Sequence, residues 1–327
     1  MPLFIPKLKN FLQLRLEFWG LVTTAGIMAT ISTVLAFFGR LGWLLDLFSH
    51  FRVQYLLFLG TITLILLIGR RWKSALCFGF FAIINLSIVL PLYFGGRSIY
   101  ANTTVPSLQA MLINVNTDYG DRVRIDNVVQ QYDPDFVILE EINSQWLAEL
   151  KTIMISYPYV TARPRDDNFG IALYSKFPFS KSDIVYIGSV EVPSIVAEFQ
   201  TKNGVFILIA THPLPPTGKE YSYFRNEQLA ELAKTIQEAA FPVLLLGDLN
   251  VSPWSHHFRR LLQSSGLEDS SKGRGIQPTW PSYNLLFRIP IDHCLHSPEI
   301  QILNKQIGPD VGSDHYPVIV NFLLSST

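Results

Sequence analysis

Hydrophobic and polar positions change rhythm sharply about a third of the way along the chain. Before Arg97 the apolar residues come in long unbroken runs: Phe18 to Phe38, Val53 to Gly69 and Ser74 to Gly96 contain no charged residue. Their lengths bracket the roughly 20 residues that an α-helix needs to cross a bilayer core, so three transmembrane helices are predicted over 18–38, 53–69 and 74–96. Only Arg70, Arg71, Trp72 and Lys73 separate the second from the third. Such a connector suits a tight hairpin at a membrane surface, with cations for headgroups and an indole for the interfacial belt. A buried soluble hairpin and a cleaved signal peptide are the alternatives. The first run exceeds an ordinary signal h-region, and no small-residue cleavage site follows it.

Upstream, Phe4, Ile5, Leu8, Phe11 and Leu12 alternate with Lys7, Lys9 and Arg15, a pattern that fits an interfacial helix or a frayed terminus. After the third run, RSIYANTTVP (Arg97 to Pro106) is polar and turn-rich, as expected of a linker. The chain thus divides into a membrane anchor over 1–100 and a second domain over 107–327.

From Ser107 onward, short β-type runs alternate with amphipathic helical stretches, the signature of an α/β domain. Strands are predicted over Leu108–Val115, Phe136–Leu139, Gly170–Tyr174, Ile195–Phe199, Val205–Ala210, Val243–Leu246, Ile291–Leu295 and Val318–Phe322. Helices are predicted over Arg122–Gln131, Ser144–Lys151 and Ser222–Ala239. So many strands with so few helices favour two packed sheets flanked by helices over one doubly wound sheet. No GxGxxG or Walker-type loop supports a nucleotide-cofactor fold.

Composition sharpens the division. Charged residues make up 16% of the 327, well below the roughly 25% usual in soluble domains. Nine Lys or Arg against two acids lie up to Arg97, leaving 17 basic and 24 acidic residues beyond it. A chain whose net charge is zero therefore joins a basic anchor to a domain of about −7. The N-terminal arm and the second connector hold six cations, and Arg40, Arg52 and Arg97 give three on the other side. The positive-inside rule then places everything after Arg97 outside the cytoplasm. Cys77 and Cys294 are too few and too far apart for a disulfide framework or a thiolate zinc cluster.

The candidate chemistry lies where strands end. LINVN, FVILEE, ILIATH, LLLGDLN and IPIDH run out into acids, amides or histidines, and GSDH stands just before PVIV. A carboxylate at the lip of a core is desolvated unless it is paired or bound to a cation, so several gathered at one rim imply a metal or a compensating partner. Glu141, Asp248, Asp292 and Asp314, with Asn114 and Asn250, offer the oxygen ligands that hard Mg²⁺ or Ca²⁺ prefers. His212 and His315 add groups able to donate to phosphoryl oxygens or to a leaving alkoxide. Taken singly, each has a plain structural explanation as a turn, a cap or a loop histidine.

Taken in order, the set resembles the endonuclease/exonuclease/phosphatase family, the fold of deoxyribonuclease I and its lipid- and inositol-phosphatase relatives. The likeness spans Ser107 to the C-terminus and rests on Asn114 in NVN, Glu141 in LEEIN, His212 in THP, Asp248 and Asn250 in GDLN, Asp292 in IDH, and Asp314 and His315 in SDH. It implies a four-layer α/β sandwich whose metal and phosphate bind where the sheets open. By position, Glu141, Asn114 and Asp314 resemble the metal-holding set, and Asp248 with Asn250 the pair that positions and deprotonates the attacking water. His315 resembles the histidine on the scissile phosphate, Asp292 its orienting carboxylate, and His212 the second phosphate-side histidine.

The implied cofactor is Mg²⁺, with Mn²⁺ or Ca²⁺ as alternatives and one or two ions both open. The abasic-site repair branch commonly carries Tyr where this chain has His212, which disfavours that activity. Glu140 stands where many relatives carry Gln.

The expected function is a membrane-anchored phosphoester hydrolase, with the lipid bilayer and a phosphoester substrate as partners: nucleic acid, phospholipid headgroup or small phosphoester. A catalytically inactive, membrane-tethered phosphate-ligand module is the rival from another class. An extended nucleic-acid footprint calls for a basic stripe, which a domain of about −7 does not supply.

Other clusters read as structure. DHCLH fails as a zinc site, because Asp292 and His296 would stand about 13 Å apart on a strand at roughly 3.3 Å per residue, and Cys294 reads as a small buried side chain. His256 and His257 read as solvated residues at a helix start, and Arg225 with Gln228, one turn apart, as helix surface, with substrate contact the alternative. PTWP (Pro278 to Pro281) and Arg288 are candidates to wall the pocket.

Overall fold

The computed structural model describes residues 5–95, 107–150, 153–202 and 204–324. The proposed linker 97–106, and Phe4 and Gly96 at the ends of predicted segments, lie outside them. The chain forms two compact units, Met1–Leu90 and Pro91–Thr327.

In the first unit, α1 (Ile5–Leu35), α3 (Arg52–Ile68) and α4 (Trp72–Val89) are long helices, with the short α2 (Trp43–Leu47) between the first two. Three stretches, Glu17–Leu41, Trp43–Ile68 and Trp72–Tyr93, are long and apolar enough to cross a membrane. Ile5 and the residues after it continue directly into the first of these as one helix. The unit's interior is not purely apolar. Buried Arg52 donates through Nη1 to the Thr33 carbonyl at 3.1 Å and to Asn85 Oδ1 at 3.4 Å, and Asn85 Nδ2 donates to Thr33 Oγ1 at 3.0 Å. Polar groups inside apolar helices are costly unless they pair with one another, and hydrogen bonds join these three residues.

The second unit is built on two six-stranded sheets. Its strands are β1 (Leu108–Asn114), β2 (Phe136–Glu140), β3 (Tyr159–Arg163), β4 (Ile171–Ser175), β5 (Lys181–Tyr186), β6 (Pro193–Thr201), β7 (Gly204–Thr211), β8 (Val243–Asp248), β9 (Glu268–Asp269), β10 (Asp292–His296), β11 (Ile300–Ile307) and β12 (Val318–Leu324). Its helices are α5 (Arg122–Tyr132), α6 (Ser144–Leu150), α7 (Lys219–Gln237) and α8 (His256–Ser265). One sheet runs β11-β12-β1-β2-β4-β3 and the other β5-β6-β7-β8-β10-β9. Both are mixed: β1 with β2 and β7 with β8 are parallel pairs, and the remaining pairs are antiparallel.

Side-chain alternation turns these sheets into the inner layers of a four-layer sandwich. On β1, Ala110 and Leu112 enter the core between the sheets, while Met111 and Ile113 face α5 and α6. The second sheet likewise sends Leu244 and Leu246 inward and Val243 and Leu245 toward α7 and α8. Caps fix the helix starts: the Asp121 side chain accepts from the amides of Val123 and Arg124, and Ser255 accepts from His257 N. His256 and His257 thus sit at a helix start as expected, and Cys294 is fully buried.

An aromatic group holds the two sheets together. The Phe136 ring from the first sheet lies 4.7 Å from Phe199 and 5.8 Å from Phe206 of the second, in edge-on geometry. Phe136→Ala is expected to lower the second unit's unfolding free energy by about 3–5 kcal/mol. Denaturant titration of the purified chain, followed by tryptophan fluorescence, reads that loss; a cost below about 1 kcal/mol would show that this cluster does not clamp the sheets.

Candidate active site

Topology alone brings the chemistry to one rim. Because β1 and β2 are parallel, Asn114 and Glu141 emerge at the same end, and antiparallel β12 begins there, just after Asp314 and His315. In the second sheet β7 and β8 are parallel, so His212 and Asp248 emerge together, and antiparallel β10 begins beside them with Asp292. Asp248 and Asp292 are direct cross-strand partners.

The sheets approach closely at this rim. Gly247 leaves room there: a Cβ would lie 1.9 Å from the Thr211 carbonyl oxygen of its own sheet and 3.2 Å from Glu140 Oε1 of the other. Glu140 Oε2 accepts the Asp248 backbone amide at 3.0 Å and so joins one sheet to the other.

Asp248, Asp292 and His315 are all buried, and one ligand atom from each lies within 4.8 Å of the others. His315 Nδ1 contacts Asp292 Oδ2 at 2.9 Å, its Nε2 lies 3.6 Å from Asp248 Oδ2, and His212 Nε2 lies 3.6 Å from that same oxygen. Burial pulls His315 toward neutrality, but the charges of Asp292 and Asp248 outweigh it and its pKa is pushed up to about 10. Burial would raise Asp292, but the His315 charge and hydrogen bond prevail and hold it below its usual range. Burial, with Asp292 beside it, pushes Asp248 well above the carboxylate range. His212, buried and next to the His315 cation, falls to about 3 and stays neutral.

A second string of contacts runs along the first sheet. Asn114 Nδ2 donates to Glu141 Oε1 at 2.9 Å, its Oδ1 accepts from Asn116 N, and Asn116 Nδ2 donates to Asp314 Oδ1 at 2.7 Å. Trp280 Nε1 donates to Asp314 Oδ2 at 2.8 Å. Burial raises the Glu141 pKa, with Asp314 and Asp292 adding repulsion. Asn116, Glu141 and Asn250 all hold positive φ, at 51°, 60° and 51°; for Glu141 this is a strained conformation of the kind that clusters at functional sites. Oxygen donors gathered this way fit a hard divalent cation, and the buried acid and histidine group could equally hold a metal.

All eight residues singled out from the sequence lie at this rim. The three whose ligand atoms cluster most tightly, Asp248, Asp292 and His315, are ones the family resemblance assigns to catalysis and not to the metal. Asn250 donates through Nδ2 to the Pro213 carbonyl, and its own carbonyl accepts from Arg225 Nη1 at 2.8 Å. Arg225 and Gln228 therefore correct the expectation of helix surface: both are buried. Helical spacing shows which residues share a face, but not that this face of α7 meets a loop carbonyl that needs a donor. Trp280 of the PTWP stretch does reach the site. Glu140, noted in the sequence only as standing where many relatives carry Gln, is fully buried, and its continuous apolar context, FVILE, is the sequence signal for that.

The fold and the rim define a class, two mixed sheets flanked by helices with an acid and histidine cluster between them. The family model described as the Endonuclease/Exonuclease/phosphatase family matches residues 111–315. The chain belongs to that family. Solved structures share its fold. An endonuclease/exonuclease/phosphatase from Beutenbergia cavernae DSM 12333 is 18% identical, with TM-score 0.55, 68% of this chain and 72% of that one covered. D. rerio TDP2, complexed with single strand DNA product, is 19% identical, with TM-score 0.57 and coverage of 67% and 100%. The human Nocturnin catalytic domain with bound sulfate anion is 19% identical, with TM-score 0.54 and coverage of 67% and 95%. No curated protein sequence matches the chain.

Glu140 yields a prediction with a definite sign. Burial, reinforced by Asp248, raises its pKa well above 4.5, so the folded protein keeps a proton that the unfolded chain releases. Stability from this group is therefore present at low pH and falls as pH rises above about 4.5. Its Oε1 has no hydrogen-bond partner. Glu140→Gln keeps an acceptor for the Asp248 amide and has no proton to lose. The variant is expected to gain on the order of 1–3 kcal/mol near pH 8 and almost nothing near pH 4. Urea unfolding at both pH values measures this, and parallel pH slopes for variant and parent would refute it.

Proposed function

We propose that this chain is a membrane-anchored, divalent-metal-dependent hydrolase of phosphoesters, with residues 1–100 as anchor and 107–327 as catalytic domain. The observation that carries the reading is the convergence of Asp248, Asp292, His315 and His212 at one rim, with neighbouring carboxylates driven apart in proton affinity. Paired acids whose environments separate them in this way mark acid and base roles.

Hydrolysis needs an in-line water, charge on the equatorial oxygens and help for the departing oxygen. Asp248, oriented through Oδ1 by the Asn250 amide at 2.9 Å, has the raised proton affinity suited to taking a proton from the attacking water. His315, held as a cation and aligned through Nδ1 by Asp292, supplies a charged N–H to a phosphoryl or leaving oxygen. His212 is neutral and supplies a second imidazole beside Asp248. A cation held by Glu141, Asn114 and Asp314 would neutralise charge on the phosphoryl group; Mg²⁺ fits the all-oxygen donors, with Mn²⁺ or Ca²⁺ able to replace it.

Support for phosphoester chemistry also comes from the family and from neighbours of the same fold, one of which holds a DNA product and another a sulfate anion. The cation bias favours the extracytoplasmic side, periplasmic or extracellular, for the catalytic domain. The rival reading, an inactive binding module, would be signalled by loss of Asp248, Asn250 or His315, and all three are present.

The purified chain in detergent micelles is expected to hydrolyse a chromogenic phosphodiester in Mg²⁺ and to stop when a chelator removes the metal. Asp248→Asn should lower turnover by about 10²–10⁴-fold. Turnover unchanged in that variant would remove the mechanism.

A further inference from the structure

A short tip beside the site is built unlike the rest of the domain's surface. Between Trp280 and Ile289, which exchange backbone hydrogen bonds as an isolated β-bridge, the chain reads PSYNLLFR. Tyr283, Leu285 and Leu286 are 78%, 75% and 76% exposed, and Phe287 next to them is also exposed. Large apolar side chains gathered on one projecting turn are not ordinary surface for a soluble domain; they mark contact with an apolar phase.

The tip is also held in place. Ser282 N donates to the Asp314 carbonyl and Ser282 Oγ to the Ser313 carbonyl, each at 2.7 Å, and Asn284 Oδ1 accepts Leu286 N at 3.1 Å. Arg288 donates to the carbonyls of Pro281 and Ser282 and lies over the Tyr316 ring at 4.6 Å. The tip is thus fixed to the two residues that precede His315.

Tyr283 also belongs to a pocket of about 600 Å³ lined by Tyr119, Arg124, Asp314 and Tyr316. The pocket opens from the site's own Asp314 to the base of the apolar tip. The pocket offers no track of cations for a polyanion: Arg124 in its wall pairs with Asp310 at 2.8 Å, and Arg288 beside the tip is engaged by carbonyls and a ring. The domain as a whole is acidic. Meanwhile the chain itself implies an apolar phase, because three stretches of the other unit are long and apolar enough to cross a bilayer.

We propose that the tip from Tyr283 to Phe287 docks on the bilayer, and that the pocket beside it takes the phosphoester headgroup of a lipid from that membrane. Tyr283 suits the headgroup level, and Leu285 with Leu286 the acyl boundary. In the reaction water adds to phosphorus, the P–O bond to the leaving alcohol breaks, and the departing oxygen takes up a proton. The substrate half of the proposal rests on the phosphoester-hydrolase reading; the docking half does not.

The test uses the full chain in phosphatidylcholine nanodiscs. Leu286→Cys in a Cys77→Ser background, carrying an environment-sensitive fluorophore, reports docking without catalysis; Cys294 is buried, with its thiol pushed up to about 12, and does not compete for label. Docking predicts quenching by brominated acyl chains. Quenching by aqueous iodide with no effect of bromine overturns it.

For substrate, the double variant Leu285→Ser/Leu286→Ser is compared with the parent on phosphatidylglycerol in the nanodisc and on a soluble chromogenic diester. The ratio of lipid to soluble turnover is expected to fall about tenfold or more. An unchanged ratio, or cleavage of plasmid DNA with no turnover of lipid, overturns the lipid assignment. A parent chain that hydrolyses no diester at all defeats the parent reading instead, and the fluorophore result still decides docking.

Discussion

Asp248 and Asp292 face each other across adjacent strands with almost no water around them, and the rest of the site follows from how that repulsion is relieved. Two like charges directly opposite on a sheet destabilise it, and burial magnifies the cost. His315 relieves it by carrying a positive charge against both. The result is asymmetric, because only Asp292 receives the imidazole's short hydrogen bond. One carboxylate is held firmly ionised, and the other is left with a high proton affinity. A site able to hold a cation and to accept a proton from water emerges from this division, and neither acid alone would provide it.

The constraint reaches back into the fold. One sheet brings Asp248 and Asp292 together by register, while the histidine that reconciles them comes from the other sheet, at the entry to β12. The sheets must therefore stay close at the rim, which the missing Cβ of Gly247 permits and Glu140 maintains by accepting the Asp248 amide. Away from the rim, the ring cluster around Phe136 maintains the same spacing. Packing in the middle of the sandwich thus serves electrostatics at its edge.

How much of this could be read from sequence follows burial. The strands foreseen, from Leu108–Val115 to Val318–Phe322, are the central ones, apolar on both faces and so continuous in sequence. Those overlooked are β3, β5, β9 and β11, and each is an edge strand. Polar and charged residues such as Arg163, Lys181, Asp183 and Asn304 stand at exposed positions in them, and this erases the apolar rhythm that reveals a strand. Site residues were legible because each closes or opens a central strand. Arg225 and Glu140 were not, because their importance lies in partners distant in sequence: the Asn250 carbonyl and the Asp248 amide.

The charge balance then bears on how substrate arrives. An acidic domain repels a phosphoester at long range, so electrostatic steering, which speeds encounter in many anion-binding enzymes, works against this one. Attraction is left to groups that act within a few ångströms, such as the His315 cation. Short-range capture becomes adequate when the substrate is already concentrated nearby. Tethering does this, since it replaces a bulk concentration by an effective one fixed by the linker. In the proposed arrangement the basic anchor and the acidic domain are therefore complementary: the first keeps the enzyme on a surface where phosphoesters are abundant, and the second discriminates by the geometry of one rim.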